Sequence, residues 1–251
     1  MKTEYFKECS AHLNRDMEFK VFGHAGKPVL VFPTFDGRFY QYEDNGMVAA
    51  CAPLIDAGVV QLYCIDSIDG ESWGGTGSPA ERIRLQEKYF FYVTQELLPR
   101  LRDMNRQANA GKSIKPMATG CSMGAYHSAN VFFRAPDLLD AVICLSGLYR
   151  ASSFFGDYRD EIVLRNSPLD CLPSLGDPAH LNRLRAGRLV FCAGKGAFDE
   201  KMLRETLEMQ SVLDAKKIPA WVDIWGTDVT HDWKWWQKQI VYFMKRVLDM
   251  D

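Results

Sequence analysis

The sequence lacks an excess of charge of either sign and has no long hydrophobic run. Its 30 lysine and arginine residues nearly balance 32 aspartate and glutamate residues, which gives a formal net charge of -2. This small charge predicts no strong attraction to nucleic acid or to an anionic membrane, so we expect a small-molecule partner. No stretch approaches the roughly 18 apolar residues that a membrane-spanning helix needs, and the first residues, MKTEYFKECS, do not resemble a signal peptide. We therefore expect a cytoplasmic protein without a membrane segment.

Paired cysteines and cofactor motifs are also missing. The seven cysteines form no C-x-x-C pair, and several lie within apolar runs such as LYCI and VICL. This pattern predicts free, buried thiols rather than disulfide bonds or a zinc site. The glycine-rich segment 74–77 lacks the lysine of a phosphate-binding loop, and no G-x-G-x-x-G segment follows the first buried strand. The sequence thus predicts neither a metal site nor a cofactor.

What the sequence does contain is a regular alternation of apolar runs and helical periodicity. A chain of 251 residues, 47% hydrophobic and 25% charged, predicts one globular domain over residues 1–251. Strands are predicted where apolar and β-branched residues cluster, at 28–33, 59–65, 114–119, 141–146, 188–193 and 220–225. Helical stretches separate most of them, one carrying an apolar stripe at Leu85, Tyr89, Val93, Leu97 and Leu101. This alternation predicts an α/β fold, a mostly parallel central sheet with helices on both faces.

Two segments depart from this alternation. The first 25 residues consist of two halves in which polar and apolar residues alternate, which predicts an N-terminal antiparallel hairpin at the sheet edge. Residues 147–187 are rich in Gly, Pro, Ser and Asp and show no long helical period. We expect an irregular insertion there, after a strand, where the cover of an active site would lie.

A candidate nucleophile lies between a predicted strand and a predicted helix. Gly120, Ser122 and Gly124 form a G-x-S-x-G motif after the run IKPMAT and before the helical run AYHSANVFFRA. A serine at such a turn adopts a strained backbone, and the strand and helix approach each other closely, so small residues are needed on both sides. We therefore predict that Ser122 is the nucleophile of a catalytic site.

A hydroxyl group needs a base to remove its proton, and His231 is the candidate. It lies between the last predicted strand and the last predicted helix, at the carboxyl edge of the sheet where Ser122 also lies. His127, one turn beyond the serine, is expected to be a packing residue instead. The acid that orients the imidazole should follow the preceding strand. Asp199 is our choice, and its neighbour Glu200 remains the alternative acid.

Two backbone N–H groups should stabilise the negative charge that develops on a carbonyl oxygen. One belongs to Met123, the residue after the nucleophile, and Phe35, after the first buried strand, is our candidate for the other. Five residues are predicted to line the pocket: Thr34, Asp36, Asp66, Trp73 and Tyr126. The aromatic residues Trp233, Trp235 and Trp236 have helical spacing, and we expect them to pack in the core.

An ordered set of segments resembles a known family. GCSMGAYHSA, FPTFDGRFYQYED, YCIDSIDGESW, SPLDCLP and THDWKWW together resemble the putative esterase family of α/β hydrolases, which includes esterase D-like and mycolyltransferase-like proteins. The resemblance covers roughly residues 20–250. It implies an α/β-hydrolase fold, a triad of Ser122, Asp199 or Glu200, and His231, and hydrolysis of an ester through an acyl-enzyme. Related esterases often have small residues where Phe35 and Asp36 stand.

These observations lead to a functional hypothesis with two alternatives. The hypothesis is a serine carboxylic-ester hydrolase that acts on a small-molecule ester and needs no cofactor. An acyltransferase with the same triad, in which an alcohol replaces water, is the first alternative. The second is a catalytically weak binding protein with this fold. The sequence leaves open the identity of the substrate and whether the chain forms a homo-oligomer.

Overall fold

A computed structural model describes residues 1–250. Its centre is one eight-stranded sheet with the strand order β1-β2-β4-β3-β5-β6-β7-β8. The first two strands form an antiparallel hairpin, and β2 pairs antiparallel with β4, while every other neighbouring pair is parallel. The strands are β1 (Thr3–Ser10), β2 (Arg15–Phe22), β3 (Lys27–Phe32), β4 (Val60–Ile65), β5 (Met117–Cys121), β6 (Ala141–Leu145), β7 (Arg188–Ala193) and β8 (Trp221–Ile224). The predicted mostly parallel sheet with an N-terminal hairpin is confirmed.

Burial along the strands follows their position in the sheet. Every residue of β4, β5 and β6 is buried, as expected for central strands that helices cover on both faces of the sheet. The edge strand β1 alternates between exposed and half-buried residues over most of its length, and the opposite edge strand β8 is half-buried throughout. The buried central strands therefore hold the loops at their carboxyl ends in fixed positions.

Helices cover both faces of the sheet. One face packs against α2 and α11, and the other packs against the remaining long helices. The helices are α1 (Gln41–Asp44), α2 (Met47–Asp56), α3 (Pro79–Phe91), α4 (Leu98–Ala108), α5 (Met123–Arg134), α6 (Ser152–Phe155), α7 (Glu161–Arg165), α8 (Pro168–Cys171), α9 (Pro178–Arg185), α10 (Glu200–Ala215) and α11 (Trp233–Val247). Within residues 1–250, no helix is long and apolar enough to cross a membrane.

A π-helical turn, Tyr92–Leu97, joins α3 to α4. A step of four residues on an α-helix exceeds one full turn, so a stripe at that spacing drifts around the helix. The wider π turn compensates for this drift. Tyr89, Val93, Leu97 and Leu101 consequently all remain buried against the sheet.

The predicted insertion consists of short helices that are tied to the core. It contains α6, α7, α8 and α9, with a 3-10 turn at Leu172–Ser174. The buried Asn166 donates a hydrogen bond from its side-chain amide to Glu87 on α3, 2.8 Å away, and its backbone carbonyl accepts one from the hydroxyl of Tyr126 on α5, 2.6 Å away. Its side-chain oxygen also accepts hydrogen bonds from Asn130 and Arg134 of α5. Four polar contacts thus hold the insertion against two helices.

The cysteines are free, as the sequence predicts. Five of them are buried, Cys171 is half-buried and Cys9 is exposed. Burial raises the pKa of the Cys51 thiol to about 12 and that of Cys171 to about 11. These two thiols are therefore held in their neutral form near pH 7.

Candidate active site

Ser122 occupies a sharp turn between β5 and α5. Its φ and ψ angles are 56° and -118°, and its N–H donates a hydrogen bond of 2.9 Å to the carbonyl oxygen of Leu145 on the neighbouring strand β6. A positive φ is uncommon for a residue with a side chain, and it persists only where the surrounding structure enforces it. The side chain of Ser122 is half-buried at the carboxyl edge of the sheet.

The glycines on either side of the serine are required by close contacts. A Cβ atom on Gly120 would lie 2.3 Å from the carbonyl carbon of Gly124. A Cβ atom on Gly124 would lie 2.5 Å from the carbonyl oxygen of Phe32 and 2.6 Å from that of Pro33. The start of α5 therefore packs directly against the end of β3 and the loop after it, which carries Phe35.

The imidazole of His231 is oriented by a buried carboxylate. Its Nδ1 lies 2.8 Å from Oδ1 of Asp199, whose side chain is fully buried. Oδ2 of Asp199 accepts hydrogen bonds from the N–H of Gly194 at 2.5 Å and from the hydroxyl of Ser146 at 3.0 Å. Because a carboxylate only accepts hydrogen bonds, Nδ1 of His231 carries the proton and Nε2 is the basic nitrogen.

Two loops bring this pair together. The loop after β7 packs tightly on the loop that precedes α11, and a Cβ atom on Gly194 or Gly196 would lie within 2.5 Å of the carbonyl oxygen of Val229. The N–H of Gly196 donates a hydrogen bond of 2.9 Å to that same oxygen. Glu200, the alternative acid, is exposed at the start of α10, whereas Asp199 just before it is buried beside His231.

Ser122 and His231 line one depression of about 390 Å³. The other lining residues are Thr34, Phe35, Asp232, Trp233 and Trp236. Within residues 1–250, the N–H groups of Phe35 and Met123 have no hydrogen-bond acceptor, whereas the N–H of Thr34 donates to the side chain of Gln41 at 2.9 Å. The two N–H groups that the sequence predicts as hydrogen-bond donors to a substrate carbonyl oxygen are thus unpaired.

Comparisons with known proteins identify the family of this chain. The sequence model of the family described as "Putative esterase" matches residues 10–246. The chain belongs to this family. Membership supports ester hydrolysis as its reaction, and no curated protein sequence gave a match.

Solved structures of esterases and related proteins share the fold of this family member. A ferulic acid esterase superposes with a TM-score of 0.77 at 16% identity, over 100% of this chain and 99% of the other. An S-formylglutathione hydrolase from Agrobacterium tumefaciens has a TM-score of 0.74 at 15% identity, over 99% and 95% of the two chains. The Mycobacterium tuberculosis protein MPT51 (FbpC1) has a TM-score of 0.72 at 12% identity, over 100% and 99%. The α/β-hydrolase fold is thereby established.

Two of the predicted pocket residues in this esterase family member lie around a different depression. Asp36 and Asp66 line a hollow next to β2, together with Arg38 and Gly70. Asp36 has a positive φ of 54°, and its carboxylate accepts a hydrogen bond from the N–H of Gly70 at 3.1 Å. Asp66 accepts one from Arg38 at 2.8 Å. Burial raises the pKa of Asp66, although the hydrogen bond from Arg38 opposes this shift.

Two other predicted pocket residues are buried beneath the site. Trp73 and Tyr126 belong to an apolar cluster that also contains Met123, and their rings lie 4.8 Å apart. Thr34 is thus the one predicted pocket residue that lines the depression of Ser122 in the described structure. His127 is also buried, and its Nε2 lies 2.8 Å from Oδ1 of Asp69 rather than next to the serine.

Three residues that the sequence did not assign to the site lie around His231 and Asp199. Trp236 is buried, as expected, and its ring lies edge-on to the imidazole with 4.8 Å between centroids. Trp233 is half-buried and packs against the core, as expected, and it also lines the depression. Ser146, which accepts a hydrogen bond from Nε1 of Trp236 at 3.1 Å, completes the contacts of the carboxylate of Asp199. Helical spacing predicts which residues share a helix face, but not which loop approaches that face.

Proposed function

We propose that this protein is a serine carboxylic-ester hydrolase that acts on a small-molecule ester through an acyl-enzyme on Ser122. One observation carries the proposal: a serine in a strained strand-to-helix turn shares a depression with an imidazole that a buried carboxylate orients. Family membership supports ester hydrolysis independently of this geometry.

The first half of the proposed reaction uses the free nitrogen of His231. Because Asp199 holds the proton on Nδ1, Nε2 can take the proton of Ser122 as its oxygen attacks the ester carbonyl. The negative charge then forms on the carbonyl oxygen, and the unpaired N–H groups of Phe35 and Met123 are the proposed donors to it. The imidazolium next returns its proton to the alcohol oxygen as the ester bond breaks.

The second half of the reaction repeats these steps with water. Water loses a proton to Nε2 of His231 and attacks the acyl-enzyme carbonyl. The imidazolium then returns this proton to Oγ of Ser122 as the bond to the acyl group breaks and the carboxylic acid leaves. Asp199 keeps its hydrogen bond to Nδ1 and stabilises the imidazolium that forms twice per cycle. If an alcohol bound in the place of water, the same residues would carry out acyl transfer.

The test combines p-nitrophenyl esters with a fluorophosphonate label. We expect wild-type protein to hydrolyse p-nitrophenyl acetate and butyrate and to take up one label per chain, and we expect Ser122→Ala to lose both. Ser128→Ala is a matched control, because this buried serine lies on the helix that follows Ser122 and its hydroxyl donates to the carbonyl of Gly124 at 2.8 Å. It should retain the label.

Other outcomes would change the proposal. Absence of hydrolysis and label in wild type would support a binding protein instead of an enzyme. Hydrolysis that survives in Ser122→Ala would contradict the proposed nucleophile. Ester formation that outruns hydrolysis when an alcohol is added would support an acyltransferase.

A further inference from the structure

In the proposed reaction, two groups of residues around Ser122 would contact different parts of an ester. The alcohol oxygen receives its proton from His231, so the alcohol must lie beside His231 and the residues that follow it, Asp232 and Trp233. The acyl chain leaves the carbonyl carbon in another direction. Apart from Ser122 itself, the lining residues outside the His231 loop and α11 are Thr34 and Phe35, in the loop after β3. Phe35 has the larger side chain of the two.

The side chain of Phe35 is supported from two sides. It is 44% exposed, and its ring stacks on that of Phe154, with 6.1 Å between centroids and 9° between planes. A Cβ atom on Gly74 would lie 2.5 Å from Cζ of Phe35, so the ring occupies the space above this glycine. The ring therefore lies between the depression and the residues that follow β4.

An apolar cluster lies behind this ring. Phe154 contacts Trp73 edge-on with 5.2 Å between ring centroids, and Trp73 packs with Met123, the residue after the nucleophile. Nε1 of Trp73 is buried and has no hydrogen-bond partner among residues 1–250. Truncating Phe35 would consequently open the depression toward apolar side chains rather than toward bulk solvent alone.

Arg82 fixes the backbone of the residues that lie behind the Phe35 ring. Nε of Arg82 donates to the carbonyl of Ser72 at 2.9 Å, and its guanidinium also donates to the carbonyls of Trp73 and Phe154. The guanidinium lies 4.8 Å from the centre of the Phe155 ring as well. The loop after β4 and helix α6 are therefore joined, which holds Phe154 behind Phe35.

We infer that Phe35, supported by Phe154, sets the upper size of the acyl group, so that esters of short carboxylic acids are the substrates. This inference rests on the proposed function and specifies its substrate class. The ring belongs to a residue that lines the same depression as Ser122, on the acyl side, and Arg82 holds the backbone of Phe154, which supports the ring. The backbone N–H of Phe35 is independent of its side chain, so truncating the ring leaves this proposed donor intact.

The experiment compares chain-length preference in matched variants. We measure kcat/KM for p-nitrophenyl acetate, butyrate and octanoate with wild type, Phe35→Ala, Phe154→Ala and the control Tyr40→Ala. Tyr40 is 42% exposed, close to Phe35 in sequence, and does not line the depression. Wild type should prefer acetate and butyrate to octanoate.

The variants should then differ in the ratio of kcat/KM for octanoate to kcat/KM for acetate. Pocket contacts with a few methylene groups change kcat/KM by about tenfold or more. We expect Phe35→Ala to raise the ratio by at least about tenfold, Phe154→Ala to raise it less, and Tyr40→Ala to leave it unchanged. Thermal melts of every variant establish that the compared proteins are folded.

Three results would overturn the inference. They are a wild-type preference for octanoate, an unchanged ratio in Phe35→Ala, and an equal change in the ratio for Tyr40→Ala. Each of these is distinct from failure of the proposed function, in which wild type hydrolyses none of the esters or Ser122→Ala hydrolyses them as well as wild type does.

Discussion

Replacing Asp199 with asparagine should invert the hydrogen bonding of His231. Oδ2 of Asp199 accepts from the N–H of Gly194, which can only donate, and from the hydroxyl of Ser146. The oxygen of Ser146 accepts from Nε1 of Trp236, and its own proton points to Asp199 because a carboxylate oxygen can only accept. Two donors therefore converge on Oδ2, and Nδ1 of His231 approaches Oδ1.

An asparagine has only one side-chain oxygen to offer to these groups. Both donors remain paired if that oxygen takes the place of Oδ2, and the amide NH2 then faces Nδ1 of His231. Nδ1 must accept this hydrogen bond, so the imidazole proton moves to Nε2, which can no longer take the proton of Ser122. The expected loss in kcat is about 10⁴-fold, as for the wrong tautomer in a serine protease triad. This loss corresponds to about 5 kcal/mol in activation free energy.

Steady-state kinetics with p-nitrophenyl acetate would measure the effect, with thermal melts as a check on folding. Asp199→Asn should remain folded, because the shape of the side chain and most of its hydrogen bonds are kept. Glu200→Gln is the comparison, since Glu200 is exposed and adjacent. Its kcat should stay within about twofold of wild type, as expected for a surface substitution. A kcat of Asp199→Asn within tenfold of wild type, or a large loss in Glu200→Gln, would refute the reasoning.

Two further substitutions test the close packing at the serine turn and the buried contact between His127 and Asp69. Gly124→Ala would put a Cβ atom 2.5 Å from the carbonyl oxygen of Phe32, and the displaced serine turn should lower kcat by about 100-fold. Gly176→Ala, where nothing lies within 4 Å of the added atom, should leave kcat unchanged, and equal rates in the two variants would contradict this explanation. His127→Ala would leave the buried carboxylate of Asp69 without its partner at 2.8 Å, at an expected cost of about 3–5 kcal/mol in the free energy of unfolding. Urea denaturation measures this cost, and a loss below about 1 kcal/mol would show that the pair is not needed.

Most strands could be predicted from the sequence because the sheet is buried on both faces. The run at 188–193 coincides with β7, Arg188–Ala193, since a continuous apolar run reflects helices on both sides. The run at 114–119 predicts β5 less well. The strand begins at Met117, and it extends through Gly120 to Cys121 because these residues pair with Cys144 and Leu145 of β6. A local pattern interprets glycine as a turn, and only the neighbouring strand shows that the pairing continues.

The residues of the candidate site likewise divide into those with a local sequence signal and those whose position depends on distant contacts. The turn at Ser122 could be predicted from the sequence, since Gly120 and Gly124 lie within two residues of it and their close contacts are formed at the turn itself. The choice between Asp199 and Glu200 could not, since both are acids at the start of the same helix and differ only in burial and hydrogen bonding.

The sequence by itself determined the alternation of strands and helices, the serine turn and the resemblance to an esterase family, because these depend on residues that are close together in the chain. The tertiary structure alone decided that Asp66 lies outside the depression of Ser122 and that Trp233 lies within it. It also decided which acid meets His231 and which aromatic ring supports Phe35. Such contacts join loops that are far apart in sequence, and their partners are set by the packing of the whole sheet and its helices rather than by any local pattern.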